Sequence, residues 1–488
     1  MQTRALAGLA GRAGRAGLAG RAGRRMSAPA VVIAAPASGS GKTTVATGLM
    51  GALRQARRQV APFKVGPDFI DPGYHALAAG RPGRNLDPVL VGDSLIGPLY
   101  RHGSDDADIA VVEGVMGLFD GRIDSSAQVA SAAARGSTAH VAALLGAPVI
   151  LVVDARGQSH SIAALLHGFA TYDHTVRLAG VILNRVGSAR HDEVLRQACA
   201  QAGVAVLGSI PRADELTVPS RHLGLVTAVE HGHRAGAAVE AMTSLVARHV
   251  DLDAVASIAA SSVPANPWTP ELAEPVLAET LGDPVTVALA SGKAFSFGYP
   301  EHGELLAAAG ARVVDFDPLH DPLPSGAAAL VLPGGFPEQF GTELSTNDRV
   351  RAQIGMLAAR GAPIHAECAG LTYLVDDLDG HPMCGVLPGS ASFTDTLTLG
   401  YRDAVAVGDS SLHAVGDRVV GHEFHRTTVR FAGNPRPAWR YRGRAGKPVD
   451  DGIVQGGVHA GYLHTHPAAH PQAIARFVAA ASTIKLTG

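Results

Sequence analysis

The chain has 488 residues, 41 Lys and Arg against 43 Asp and Glu, and a formal net charge of −2. That is more length than one core needs, so two domains are expected, and the balanced charge offers no basic field for nucleic acid or anionic lipid. No apolar run reaches the length of a membrane span, and Cys199, Cys368 and Cys384 are too few for a disulfide framework and lack metal-type spacing, which fits a reducing cytoplasm.

Residues 1–25 form a low-complexity Ala/Gly/Arg tract without acidic residues. It is expected to be disordered, either an over-extended start upstream of Met26 or a dispensable tail. From Val31 to Leu49 the sequence VVIAAPASGSGKTTVATGL is an apolar strand that breaks into a Gly-Ser loop and resumes as a helix. Such a loop turns successive backbone N–H groups toward one anion. Gly39, Ser40, Gly41, Lys42, Thr43 and Thr44 are therefore the expected cradle for nucleotide phosphates, with Lys42 reaching the terminal phosphates and the Thr43 hydroxyl on Mg²⁺. Pro36 stands where the strict P-loop pattern has glycine, so the match is to the deviant form of the motif.

Four more apolar runs follow, and each ends in a polar loop: VAPFKV into GPDFIDPGYH, IAVV into Glu113 and GVMGLFDG, PVILVV into Asp154, and AGVIL into Asn184 and Arg185. Strands alternating with helical segments imply a parallel, doubly wound sheet whose ligands lie at the carboxyl ends of the strands. Lys42 and Lys64 would offset phosphate charge there, while Asp68, Asp71, Glu113 and Asp120 are oxygen donors suited to Mg²⁺ or a reacting group. Asn184 is placed to read an adenine edge, with Pro211 and Arg212 closing over the base; a turn-forming role for Asn184 is the alternative.

Between Leu252 and Pro284 periodicity fades into clustered prolines, which marks 251–283 as a linker between domains at 26–250 and 284–488. The second half restarts as α/β. In APIHAECAGLTYL an apolar strand bends sharply at Cys368 into a helix, with Ala366 two residues before and Gly370 two after, as a nucleophile elbow requires. The helix N-terminus is expected to lower the thiol pKa. LPGGFPE supplies backbone N–H groups at Gly335 or Phe336 for an oxyanion, and a histidine of HAGYLHTH is the expected base toward Cys368. His422, Glu423 and His425 in GHEFHRTT lack the HExxH spacing of a helical zinc site, so a structural or interface role is preferred.

The order ASGSGKTT, KVGPDFIDPGYH, GRPGRNLD and VVEGVMGLFDG resembles the cobyrinic acid a,c-diamide synthases of cobalamin biosynthesis, and the likeness spans residue 31 to about 480. It implies a dethiobiotin synthetase-like P-loop domain followed by a class I-type glutamine amidotransferase domain of the cobyric acid synthase branch. Asp68, Phe69 and Ile70 would face the corrin; Thr43, Asp71 and Glu113 would hold Mg²⁺; Lys64 and Asp120 would serve catalysis; and the base would be His464. His466 stands two residues on, where the wider class has a carboxylate, so Cys368 and His464 act as a dyad or use an orienting group not evident in the sequence. Val89, where Trp is usual, and ASGKAF, where an Arg-Asp pair precedes Ala-Phe in relatives, also depart from the pattern.

The implied reaction is ATP-dependent amidation of corrin carboxylates with L-glutamine as nitrogen donor, in the cytoplasm, without nucleic acid or membrane and with a homodimer left open. A cobalt-containing and a metal-free ring are equally compatible. Cobyric acid synthase is the near alternative, disfavoured by the GPDFIDP and EGVMGLFDG loops. A switch ATPase with an inactive amidotransferase domain is the distant one.

Overall fold

The computed structural model describes residues 27–123, 133–212, 227–263, 266–273, 284–443 and 446–487, so the tract 1–25 lies outside the described residues. The chain forms two compact units: one runs to Trp268 without Leu90–Gly92, and the other holds the remainder.

In the first unit seven strands build one sheet: β1 (Ala30–Ala34), β2 (Val60–Val65), β3 (Arg84–Leu86), β4 (Ile109–Glu113), β5 (Val149–Asp154), β6 (Leu178–Val186) and β7 (Val206–Pro211). Their order is β3-β2-β4-β1-β5-β6-β7 and every pairing is parallel. Every residue of β1, β2 and β4 is buried. This is the pattern of a central parallel strand covered on both faces, and it explains why these segments read as continuous apolar runs rather than as alternation. The loops after β1, β2 and β4 leave the same edge of the sheet, the edge where doubly wound sheets bind ligands.

Helix α1 (Lys42–Gln55) springs from the loop after β1, and α2 (Asp71–Ala79) from the loop after β2. Gly41 caps α1 with φ +96°, in the left-handed region that favours glycine. Further along α1, Gly48 and Gly51 face α3 (His233–His249) so closely that a Cβ on either would collide with the Met242 carbonyl or the Thr243 hydroxyl. The stretch expected as a linker is more ordered than its proline content suggests. Residues Leu252–Ile258 form helix α4, Val255 is fully buried, and Ala260 bridges Ala30 at the edge of β1. The division between the units falls after Trp268, inside the stretch 251–283 expected as a linker, and apolar residues before it such as Val255 pack into the first unit. Residues 274–283 lie outside the described ones.

The second unit holds a sheet of β8 (Val285–Ala290), β9 (Ala311–Phe316), β10 (Ala327–Leu332) and β11 (Ile364–Glu367), joined by strands from the end of the chain. A second sheet follows, with β12 (Val375–Leu378), β13 (His381–Pro382), and the long antiparallel pair β14 (Leu387–Ala406) and β15 (Arg418–Phe431). Beyond a β16 (Trp439–Arg442) and β17 (Pro448–Asp451) ribbon come β18 (Ile453–Gln455), β19 (Val458–Gly461) and β20 (His464–Thr465). The first sheet runs β18-β19-β11-β10-β8-β9, parallel apart from the β18–β19 pair. Its neighbour β20 pairs with β15 instead, Gly421 opposite Thr465 and His422 opposite His464. The break between β19 and β20 thus lets the chain cross from one sheet to the other beside the end of β11.

Candidate active sites

The phosphate cradle of the first unit is tied in place by residues far away in sequence. Asn184 Nδ2 donates to the Ser40 carbonyl at 2.9 Å, and Arg185 Nη1 bridges the Gly39 carbonyl at 2.9 Å and Asp154 Oδ2 at 2.6 Å. The amide of Asn184, expected at an adenine edge, thus holds the loop itself. Arg185 does so from φ +60°, in the left-handed region. Lys42 Nζ donates to the Met116 carbonyl at 2.6 Å; burial lowers its pKa, and the charge of Lys64 lowers it further. The loop after β4 is anchored to the exit of β1 by Gly114 N to Ile33 O and Leu118 N to Ala35 O, and Asp120 Oδ2 accepts from Gly117 N at 3.0 Å.

At the carboxyl ends of β2 and β4 lies a buried ionic cluster. Lys64 Nζ is 2.6 Å from Asp71 Oδ2, 3.0 Å from Glu113 Oε1 and 3.8 Å from Asp68. The Thr43 hydroxyl donates to Glu113 Oε1 at 2.5 Å and lies 3.4 Å from Asp71. Burial pushes Asp71 well above the usual carboxylate range, and Asp68 and Glu113 add to this against the pull of Lys64. Glu113 would also rise on burial, but Lys64, His75 and Thr43 outweigh that and hold it below its ordinary value. The oxygen donors Thr43, Asp71 and Glu113 converge on the Lys64 ammonium and on one another. This donor set fits Mg²⁺, which is commonly held by one or two carboxylates plus substrate phosphates.

Asp68 Oδ1 accepts from Ile70 N and Asp71 N at 2.8 and 3.1 Å and so opens helix α2. Phe69 is half-buried, and Ile70 is only 3% exposed. Val89 is buried, and its N–H is held by Asp87 at 2.8 Å. Arg212 is exposed, and its backbone N–H bonds Val186 O. Sequence reasoning missed His75, a fully buried ring whose Nε2 is 2.6 Å from Glu113 Oε2. The available signal was its place four residues after Asp71, on the same face of α2.

In the second unit β11 ends at Glu367, and Cys368 sits at φ +51° and ψ −99° before helix α5 (Ala369–Leu374). A non-glycine residue in that region is strained, as a nucleophile elbow demands. Gly370 permits the bend, because a Cβ there would strike the Leu332 carbonyl. The N–H groups of Gly335 and Ala369 approach the sulfur. Phe336 stacks edge-on against Phe297, ring centroids 4.9 Å apart. The expected low thiol pKa is corrected: burial, with Glu338 adding, raises Cys368 well above its ordinary value, since a 3% exposed sulfur loses more from desolvation than a six-residue helix returns.

His464 is fully buried, and Gly334 makes room for its ring, a Cβ there colliding with His464 Cε1. The Gly334–Gly335 pair thus borders both the base and the nucleophile. His464 Nδ1 is 3.4 Å from Glu367 Oε2, and Glu367 Oε1 accepts from Thr465 N at 3.1 Å and Thr465 Oγ1 at 3.2 Å. His365 Nε2 lies 3.4 Å from the same Oε1. Burial would raise Glu367, but His365 and His464 hold it well below its usual value. His466 turns elsewhere: its Nδ1 accepts from Ala468 N at 3.3 Å, and its ring lies 4.2 Å from that of Tyr299.

In GHEFHRTT, Glu423 pairs with Arg402 at 2.6 Å and accepts from Tyr441 at 2.7 Å, while His425 stacks on Tyr462 at 3.8 Å. These contacts bind β15 to its neighbours.

Comparison with known proteins agrees with the two-unit organisation. Residues 31–226 match the model of the CobQ/CobB/MinD/ParA nucleotide binding domain, and residues 286–472 that of the CobB/CobQ-like glutamine amidotransferase domain. The chain is 70% identical over 457 residues to the hydrogenobyrinate a,c-diamide synthase of Mycobacterium tuberculosis, covering 94% of this chain and 99% of that one. It is 52% identical to the protein of that name from Streptomyces coelicolor, covering 92% and 97%, and 41% identical to the cobyrinate a,c-diamide synthase of Syntrophotalea carbinolica, covering 93% and 98%. With a nucleotide-binding unit, an amidotransferase unit and likeness over nearly the whole of these relatives, the chain belongs to the hydrogenobyrinate and cobyrinate a,c-diamide synthase family.

Proposed function

We propose that this chain amidates the a and c side-chain carboxylates of hydrogenobyrinic acid, using ATP to activate each carboxylate and glutamine as the nitrogen source. The observation that carries this reading is the buried cluster of Lys64, Asp71 and Glu113 beside the P-loop, in a chain that also builds a strained Cys368 elbow with the Gly335 N–H beside its sulfur. Relatives at 70% and 52% identity bear the hydrogenobyrinate name and one at 41% the cobyrinate name, which favours the metal-free ring.

A carboxylate does not yield an amide until one oxygen becomes a leaving group. A corrin carboxylate oxygen attacks the γ-phosphorus of ATP and the bond to the β,γ-bridging oxygen breaks, giving ADP and an acyl phosphate. Lys42 and Lys64 offset charge on the transferring phosphoryl group, a mostly electrostatic task. Thr43, Asp71 and Glu113 would hold Mg²⁺, which supplies further charge neutralisation at the phosphates. Asp68 and Phe69 line the loop that receives the corrin, and Asp120 stands at the mouth of the loop after β4. Ammonia attacks the acyl carbon and phosphate departs with the C–O bond.

In the second unit His464 takes the thiol proton as Cys368 Sγ attacks the glutamine amide carbon, with the Gly335 N–H on the developing oxyanion. The proton passes to the leaving ammonia, and water cleaves the glutamyl thioester to glutamate. A raised thiol pKa suits this sequence, since the buried thiol stays protonated until substrate and base arrive together.

Two experiments test the reading. Cys368→Ser is expected to abolish glutamine-supported amidation while synthesis with ammonium salts persists, and Lys42→Ala to abolish both; glutamine-supported turnover in Cys368→Ser would overturn it. Mass spectrometry of products from both corrins should show the diamide from the metal-free ring at the higher kcat/KM; preference for the cobalt ring would overturn that assignment.

A further inference from the structure

The histidine assigned above as base lacks the carboxylate two residues downstream that usually orients such a base, and His466 in that place is engaged with Ala468 and Tyr299. Resting on the Cys368–His464 reading, we infer that Glu367, the residue immediately before the nucleophile, is the positioning carboxylate for His464.

The geometry divides the two oxygens of Glu367 between separate tasks. Oε1 is clamped by both the backbone N–H and the hydroxyl of Thr465, the residue after His464, at 3.1 and 3.2 Å, while Oε2 is turned to His464 Nδ1 at 3.4 Å. One side chain thus grips the strand that carries the base and faces the base itself. Glu367 is also the last residue of β11, so the nucleophile and the orienting carboxylate are adjacent on one rigid strand, and β20 is drawn to that strand's end. The alignment does not depend on a mobile loop.

The chemistry follows from the tautomer. A carboxylate accepts only, so Nδ1 of His464 carries the proton and Nε2 presents its lone pair to the thiol; once His464 is protonated, the same carboxylate stabilises the imidazolium. Contacts of this kind are often long in the unliganded state and tighten when substrate binds, which accommodates 3.4 Å. The same requirement is met here from the nucleophile's strand rather than from the base's own.

The Thr465 clamp makes the test decisive. In Glu367→Gln the amide oxygen must face Thr465, because the backbone N–H there only donates, so the amide NH₂ is forced toward His464 Nδ1. That donor fixes the other tautomer, with the proton on Nε2, where it blocks acceptance of the thiol proton. In the full-length protein, with the ammonium-supported rate as internal reference, Glu367→Gln is expected to lower the ratio of glutamine- to ammonium-supported kcat by about 10²–10⁴-fold, as the same change does in other orienting carboxylates. The glutamine KM should stay within about threefold, and Glu367→Asp should recover at least about tenfold of the loss. A purely structural role would move KM with kcat and gain nothing from the shorter acid. A ratio within about threefold of wild type in Glu367→Gln, or no recovery in Glu367→Asp, overturns the proposal. Where Glu367→Gln does not fold, Thr465→Val removes one clamp and keeps the carboxylate; it should lower the glutamine-supported kcat about fivefold at constant KM, and an unchanged kcat overturns the proposal. Cys368→Ser and His464→Ala run alongside: glutamine turnover in either defeats the underlying dyad reading and not the Glu367 assignment alone.

Discussion

The ammonium of Lys64 lies 2.6 Å from the Asp71 carboxylate with both side chains buried, 4% and 7% exposed. Such a pair is held together because each charge, taken alone, would be stranded without water. Lys64→Ala leaves Asp71 and Glu113 without their shared ammonium, and the expected loss is about 3–5 kcal/mol of stability, seen as a lower urea midpoint. Amidation should vanish with either nitrogen source, because Lys64 belongs to the phosphoryl-transfer half.

Asn184 and Ser40 are 144 residues apart in sequence and joined by one hydrogen bond of 2.9 Å. Asn184→Ala should loosen the phosphate cradle by about one hydrogen bond's worth, ~1 kcal/mol. The ATP KM is expected to rise about fivefold with glutamine and with ammonium salts alike, measured by initial rates. An effect confined to glutamine would contradict the placement.

Gly335 has no room for a side chain, since a Cβ would collide with the Ala294 carbonyl, and its N–H approaches the Cys368 sulfur. Gly335→Ala should displace the oxyanion donor and lower glutamine-supported kcat about 10²–10³-fold. Glutaminase assays with and without ATP and corrin measure this directly.

Burial holds three histidines of the second unit neutral: His302 is lowered to about 4, with His365 contributing; His413 to about 3, with His470 contributing; and His422 to about 3, with His464 contributing. In the unfolded chain each titrates near the ordinary value of about 6.5, so below that pH the unfolded state binds more protons than the folded one. Stability is therefore full above about pH 6.5 and falls as pH drops toward 4, by at most about 1.4 kcal/mol per pH unit for each group. Thermal denaturation at pH 7 and pH 5 should show the loss, and His413→Gln should flatten it.

Much of the first site was legible because a phosphate cradle is local. Gly39 to Thr44 are consecutive, and the strands β1, β2 and β4 announce themselves as unbroken apolar runs that end in Lys64 and Glu113. The Cys368 elbow was legible for the same reason, a strand, a bend and a helix within a dozen residues. The thiol pKa was misjudged because the helix is visible in sequence and the burial opposing it is not. The division after Trp268 falls inside the stretch 251–283 read as a linker, but the helix Leu252–Ile258 within it was not legible, because the burial of Val255 and the bridge from Ala260 to Ala30 are long-range contacts.

By itself the sequence determined the order of the units, the strand–bend–helix turn at Cys368 and the family, since these rest on contiguous motifs whose steric needs are local. Only the tertiary structure decided that His75 buttresses Glu113, that Asn184 and Arg185 clasp the phosphate loop, and that Glu367 rather than His466 faces the base. Each of these joins residues on different elements, and their partners are set by which strands lie side by side, a property of packing that no single stretch of chain contains.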